Sequence, residues 1–316
     1  MFIGPSIGED AAVLTLNGED VLVVHSDPIS GALQYLGELS IIIPGNDIAV
    51  SGARPKYYTT TILLPEDSEK DEVLNRIIGG MRKAAGRINA VIIGGHTEYT
   101  SAVNHPIVIS TAFGFTNREK IVKTGGARPG DVVIMTKYAG IEGTAILASD
   151  FTDWLLEQGV EASVIEEAKD LIDMVSVIEE AYLLAKMGIP NSMHDPTEGG
   201  IIGGVLEIAA ASGVTIDLSV SNVPIHPLTL KLCDALGISP LRMLSSGSLI
   251  ATVPPEIVDE ALHLLKSLGV NVAVIGEVRQ KDGDVLTRII EGGKIKKELK
   301  DPYVEDEVMA LWRRRR

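Results

Sequence analysis

The sequence predicts an α+β protein built in two parts, on three observations. At 316 residues the chain is long for a single hydrophobic core. Strand-like and helical apolar runs follow one another without the strict β-α-β repetition of a doubly wound sheet. The pattern also changes at "KTGGARPGD", residues 123–131, a polar, turn-forming stretch between two apolar runs. That stretch divides the chain into residues 1–125 and 126–316.

In the first part, "AAVLTL" and "VLVVHSD" flank Asn17-Gly18, a dipeptide that tolerates positive φ and so predicts a tight hairpin. Residues 37–53 read as a helix that Pro44-Gly45 should break or kink. "YYTTTILLP" is rich in β-branched and aromatic residues and reads as a strand. Ser68 is placed to cap a helix over 69–88, whose acidic residues come early and basic ones late, matching the helix dipole. "AVIIGG" and "PIVISTAFGF" are two more strands.

The second part opens on the strand "DVVIMTKY" and continues with helical periodicity through 142–158, 161–173 and 175–187, with little strand between. "IIGGVLEIAAASG" reads as a helix behind a Gly-rich loop, and "PEIVDEALHLLKSLG" as another. "VTIDLSV", "GSLIATV", "NVAVIGEV" and "DVLTRII" read as strands.

Composition excludes several classes of function. The chain is 45% hydrophobic and 22% charged, the balance of a globular protein. Its net charge of −15 opposes a general nucleic-acid or anionic-membrane surface. The tail Arg313–Arg316 is read as a frayed, solvated end, with a phosphate contact as the other option. The single Cys233 makes no intrachain disulfide and, in an apolar helical pattern, is read as a small buried hydrophobe. No apolar run reaches membrane-spanning length, and Glu9 and Asp10 spoil a signal peptide, so a cytosolic protein is expected.

Walker A, G-x-G-x-x-G and G-x-S-x-G signatures are absent, and one Cys with scattered His gives no zinc-type cluster. What remains is a set of carboxylates at strand ends or in Gly-rich turns: Asp10, Asp27, Asp47, Glu98 and Asp195. Oxygen ligands from several segments suit Mg²⁺ bound to phosphates. Gly94-Gly95 and Gly199-Gly200 would let backbone N–H groups approach phosphate oxygens, and the helix after Gly200 would add its dipole. Asp at a strand end is also an ordinary turn or cap residue, so spacing alone leaves each one open. His96 and His194 read individually as hydrogen-bonded loop histidines, and Lys137 as either a phosphate contact or a solvated strand end.

Six motifs, "GEDAAV", "SDPI", "NDIAVSGARP", "GG-x-T", "ARPGDVVIMT" and "DPTEGG", occur in this order over nearly the whole chain. Together they resemble the aminoimidazole ribonucleotide (AIR) synthase, or PurM, superfamily. Its members include formylglycinamidine ribonucleotide synthetase, selenophosphate synthetase, thiamine-monophosphate kinase and the hydrogenase maturation protein HypE, whose branch the motifs resemble most. The resemblance implies an N-terminal α+β domain whose strands form a barrel with a second subunit, a C-terminal α+β domain behind it, and ATP with Mg²⁺ at the dimer interface. It implies that Asp10, Asp27 and Asp47 hold metal and phosphates, with Glu98 as a further metal ligand. Nucleotide contacts are expected from Asn46, Asp47, Gly95, Thr97, Lys137, Gly199 and Gly200. Asp195 and Thr197 are expected to position substrate or the transferred group.

The implied chemistry is phosphoryl transfer from ATP to an amide- or carbonyl-type oxygen of an unidentified small substrate, in a cytosolic homodimer. Four departures qualify it. The chain ends "LWRRRR" where HypE ends in the Cys it modifies, so reaction on its own tail is not expected. His96 replaces the acidic residue after Gly-Gly, with Glu98 two positions on as its substitute. Ser245-Ser246-Gly247 stands where HypE carries Asn-Glu-Gly, removing a charged pocket residue. The chain starts almost at the first motif, so the segment covering ATP in some relatives is expected to be missing. Two other readings stand beside this one: a maturation factor acting on a partner protein's thiol, and a non-catalytic nucleotide-binding scaffold.

Overall fold

Two sheets with helices packed between and around them make up the molecule, seen here in a computed structural model that describes residues 1–4, 8–66 and 70–315. The first sheet begins with the hairpin β1 (Ala12–Thr15) and β2 (Asp20–Ile29). Its turn runs from Asn17 to Asp20, one residue pair longer than a two-residue loop, with Gly18 left-handed at φ 59. Helix α1 (Leu36–Val50) follows and continues through Pro44, which the sequence expected to interrupt it. The proline penalty is about 3 kcal/mol. Packing outweighs it, because every residue of α1 except Asp47 is buried, against β2, α2 and α6 among others.

β3 (Arg54–Leu64), α2 (Lys70–Arg87), β4 (Val91–Tyr99) and β5 (Ile107–Asn117) complete this part. Ser68, the expected cap of α2, lies outside the described residues. The strand order is β1-β2-β5-β3-β4, antiparallel except for β3 with β4. In one chain this sheet is open and does not close on itself. Its inner face packs on α1, while its outer face carries Tyr57 and Phe115 edge to face, with Ile93 exposed on β4.

β6 (Val132–Thr136) starts the second part and ends one residue before Lys137, which takes positive φ (55). The first long helical stretch splits at Phe151 into α3 (Ile141–Asp150) and α4 (Thr152–Glu157). α5 (Ala162–Lys169) and α6 (Ile178–Met187) follow. The short strand β7 (Ser192–His194) was not legible in the sequence. Next come α7 (Gly200–Ser212), β8 (Thr215–Ser219), α8 (Pro227–Leu236), β9 (Ile250–Val253), α9 (Val258–Ser267), β10 (Val272–Arg279), β11 (Thr287–Glu291), β12 (Lys294–Leu299) and α10 (Glu307–Arg315). The sheet order is β12-β11-β8-β10-β6-β9-β7. Of the tail expected to fray, residues 313–315 belong to α10, which is seated by buried Val308 and Leu311, with Trp312 against Gly31 and Arg313 paired to Glu305 at 2.7 Å, and Arg316 lies outside the described residues.

Candidate metal and nucleotide site

Glu9 and Asp10 sit at the seam between the two parts. Gly8 takes φ 77 and lies so close to α7 that a Cβ there would meet the Glu207 carbonyl at 3.3 Å, which fixes how the chain enters β1. Glu9 Oε1 accepts from the Gly125 N–H (3.4 Å) and Asp10 Oδ2 from the Thr124 hydroxyl (3.2 Å). Asp10 Oδ1 pairs with His194 Nδ1 at 2.7 Å, and His194 Nε2 reaches Glu207 Oε2, also at 2.7 Å. Burial alone would lower the His194 pKa, but the charge and hydrogen bonds of Asp10 and Glu207 override it and raise the pKa well above the ordinary value. His194 is therefore an imidazolium that offers a proton to a carboxylate on each side.

Three elements converge on Asp10. β2 brings His25 and Asp27, α1 brings Asp47, and the loop after β7 brings Asp195. Two trios result, Asp10–Asp47–Asp195 and His25–Asp27–Asp47, each with ligand atoms within 4.8 Å of one another. Asp47 belongs to both. It is the one α1 residue not fully buried.

The electrostatics are unfavourable without a counter-charge. Burial first, then the charges of Asp195, Asp10 and Asp27, push the Asp47 pKa well above the carboxylate range. Burial and Asp10 do the same to Asp195. Asp27 is raised by burial, with His25 pulling it down and Glu198 pushing it up. Asp47 Oδ2 and Asp195 Oδ1 are buried with no hydrogen-bond partner among the described residues, and the His25 ring is only at ion-pair distance (3.5 Å) from Asp47. Buried, mutually repelling oxygen donors of this kind fit a hard divalent cation, which would satisfy the orphaned oxygens and relieve the repulsion.

Several expected site residues are engaged elsewhere. Asn46 clamps the loop before α6, donating to the Val175 carbonyl (3.0 Å) and accepting from the Val177 N–H (2.9 Å). Lys137 grips the same loop, donating to the carbonyls of Met174 (3.1 Å) and Ser176 (2.6 Å) and pairing with buried Glu180 at 2.8 Å. Both side chains are committed to these partners in the free chain. The Gly199 N–H goes to Asp306 Oδ2 (3.1 Å) and the Gly200 N–H to the Thr197 carbonyl (3.1 Å). These glycines are needed for left-handed φ (76 and 61) and for tight packing, since a Cβ would meet Val304 at 2.9 Å or the Met243 carbonyl at 2.7 Å. Gly95 answers to packing as well: a Cβ there would lie 1.9 Å from the Thr60 carbonyl of β3.

Glu98 does not reach the cluster within one chain. "GGHTEY" continues β4 instead of forming a loop, and β4 is separated from β2 by β3 and β5. Three strand spacings amount to about 14 Å. Glu98 is half exposed beside His96 (3.8 Å), while Gly95 and Thr97 line a groove of about 300 Å³ between β4 and α2. Thr197 stays near Asp195, its carbonyl accepting from the Gly200 and Ser245 N–H groups.

The sequence reading missed His25 and Glu207 as parts of this centre. It also missed Glu142, in the first turn of α3. Its carboxyl lies beside Ser246 of the Ser245-Ser246-Gly247 stretch, whose hydroxyl acts on Glu142 closely enough to lower its pKa. Burial dominates, and with the charges of Glu198, Asp306 and Asp27 it holds Glu142 up at about 7.

Models of the AIR synthase related protein family match this chain twice, the N-terminal domain over residues 8–116 and the C-terminal domain over residues 128–289. The chain belongs to this family. Within it, carbamoyl dehydratase HypE of Rhizobium leguminosarum bv. viciae is 30% identical over 299 residues, covering 91% of this chain and 82% of that one. The HypE of Escherichia coli is 28% identical over 264 residues, covering 81% and 74%. A crystal structure of the hydrogenase maturation protein HypE in complex with ATP aligns at TM-score 0.73 and 25% identity, covering 95% of this chain and 91% of that one. The chain is thus a HypE-like member of the AIR synthase family, with two AIR synthase domains of mixed α and β structure. No helix among the described residues is long and apolar enough to cross a membrane.

Proposed function

We propose that this protein binds ATP with Mg²⁺ at the carboxylate cluster and transfers the γ-phosphoryl group to an amide- or carbamoyl-type oxygen of an acceptor held on another molecule. The observation that carries the reading is the pair of trios meeting at Asp47, with orphaned, mutually repelling oxygens. The likeness to a HypE that was crystallised with ATP supports the choice of nucleotide. Bound there, Mg²⁺ would neutralise phosphate charge as it develops.

The protein's own groups supply the rest. Asp10, Asp27, Asp47 and Asp195 hold the metal side, with His25 completing the second trio. His194 and Glu207 hold Asp10 in place. Thr197, next to Asp195, positions the transferred group. Phosphorylation turns the acceptor oxygen into a leaving group: the O–P bond forms as the bond from phosphorus to ADP breaks. The C–O bond then breaks with release of phosphate, while the adjoining nitrogen gives up its two protons and its electron pairs complete a C≡N bond.

The acceptor comes from outside this chain, because the one cysteine, Cys233, is buried and its thiol is pushed up to about 12 by burial and nearby acids. This favours, as a second reading, a carbamoylated thiol on a partner protein, in keeping with the HypE that was crystallised with HypF. The working form is a cytosolic homodimer paired through the outer face of the first sheet, where Tyr57, Phe115 and Ile93 leave apolar area exposed. In that dimer, residues 1–125 and 126–316 act as the two functional units, and the β4 edge with Gly95, Thr97 and Glu98 faces the partner.

The test is an isotope experiment. The protein is incubated with Mg²⁺, ATP and an S-carbamoylcysteine peptide labelled with ¹⁸O in the carbamoyl oxygen. The proposal predicts label in inorganic phosphate. ATP cleavage with the label left in the peptide would refute transfer to that oxygen, and binding without cleavage would leave a nucleotide-binding scaffold.

A further inference from the structure

The seam between α3 and the loop over residues 243–247 holds two polar groups that the phosphoryl-transfer site does not use. The loop is fastened to the first turn of α3 by Gly143 N–H to the Leu244 carbonyl (3.0 Å) and Gly140 N–H to Ser245 Oγ (2.8 Å). It is also tied to the loop after β7, since the Ser245 N–H donates to the Thr197 carbonyl (3.3 Å). In this seam Glu142 Oε2 and Ser246 Oγ are buried, and beyond each other neither has a hydrogen-bond partner among the described residues. Glu142 is 6% exposed and Ser246 0%.

A buried carboxyl with only a hydroxyl beside it is costly, and the charges that act on it most strongly are not basic. The charged groups acting on it most strongly are Glu198 from the loop before α7, Asp306 before α10, and Asp27 on β2. All three are carboxylates. Such a place repels carboxylate and phosphate ligands and attracts positive charge or N–H donors. The hydroxyl beside the carboxyl adds a donor for a carbonyl oxygen.

We propose that Glu142 and Ser246 form the nitrogen-binding end of the acceptor site, accepting an N–H₂ group on the Glu142 carboxyl while Ser246 serves the adjoining carbonyl. The ligand class is a primary amide, or its cationic analogue, an amidinium. This deepens the phosphoryl-transfer reading and rests on it for the identity of the acceptor. Both atoms are covered in the free chain, so a ligand enters by parting the 243–247 loop from α3.

The test uses acetamidinium and acetamide as probes, with acetate as control, titrated into the full chain and followed by saturation-transfer NMR. Acetamidinium and acetamide are expected to bind, and acetate is not. Glu142→Gln should weaken acetamidinium about tenfold or more, by losing a charge-assisted hydrogen bond. Ser246→Ala should weaken acetamide, and Mg²⁺-ATP affinity should stay within about twofold in both variants as the check on folding. Glu142→Asp provides a second variant that keeps the charge and should retain acetamidinium binding. Equal acetamidinium binding by wild type and Glu142→Gln, no binding of either nitrogen probe, or binding of acetate would overturn the proposal. If wild type takes the probes but not Mg²⁺-ATP, the phosphoryl-transfer reading fails while this pair stands.

Discussion

Replacing Glu142 by Gln should change how stability depends on pH, in a direction and amount set by its surroundings. The folded carboxyl titrates at about 7 against an ordinary 4.5, chiefly because it is buried. Below pH 4.5 it is protonated both folded and unfolded, and it costs nothing. As pH rises, the unfolded chain ionises first and the folded chain keeps its proton, so stability falls, and the loss is complete above about pH 7. A displacement of that size corresponds to about 3 kcal/mol, to order of magnitude. Gln cannot ionise and removes this contribution. Its amide brings a fixed offset, because a buried N–H₂ must find partners, but that offset does not vary with pH. Urea unfolding of wild type and Glu142→Gln, with chelator present, should therefore show the variant gaining about 3 kcal/mol relative to wild type between pH 4 and pH 8. Parallel pH profiles, with a relative change under about 1 kcal/mol, would refute the reasoning.

Other perturbations separate structure from chemistry. Lys137→Met leaves buried Glu180 unpaired and frees the loop before α6, so it should destabilise by about 3–5 kcal/mol in chemical denaturation. Mg²⁺-ATP affinity of the folded protein should be unchanged, contrary to a nucleotide-contact role. His194→Gln removes an imidazolium whose folded pKa is raised, a contribution fully present below pH 6.5 and lost as pH climbs through the raised value. Its thermal destabilisation should be larger at pH 6 than at pH 10. Phe115→Glu puts a charge on the exposed apolar face of the first sheet and should convert a dimer to monomer in sedimentation velocity without unfolding it.

Much of the fold was legible because its signals are local. Short apolar runs bounded by turn residues located β2, β5, β6, β8 and β10, and β-branched and aromatic content located β3. Pro44 misled because propensity is a local quantity, whereas α1 is stabilised from all sides by its neighbours. β7 has only three residues and no period to detect, and β12, "KIKKEL", is exposed and charged along most of its length. The expected carboxylates Asp10, Asp27, Asp47 and Asp195 were brought together, since each ends or interrupts an apolar run where a side chain has few structural reasons to be acidic. Asn46, Lys137, Gly199 and Gly200 looked equally functional in sequence, and in the fold they also serve as clamps and close-packed turns. Only their partners, from Met174 to Val177, Asp306 and Met243, reveal that. Glu142 was missed for the opposite reason: a Glu in the first turn of a helix normally reads as a dipole partner, and nothing local says that it will be buried beside Ser246.

The central claim is that Asp47 joins two carboxylate trios into one Mg²⁺-ATP site. Its most direct test is calorimetric titration of ATP, with and without Mg²⁺, into wild type and Asp47→Asn, with thermal melts of each. The account predicts Mg²⁺-dependent ATP binding by wild type and its loss in Asp47→Asn. It also predicts that the metal-free variant melts at or above wild type, because the repulsion of Asp47 with Asp195, Asp10 and Asp27 has been removed. ATP binding that ignores Mg²⁺, or that survives intact in a folded Asp47→Asn, would contradict it.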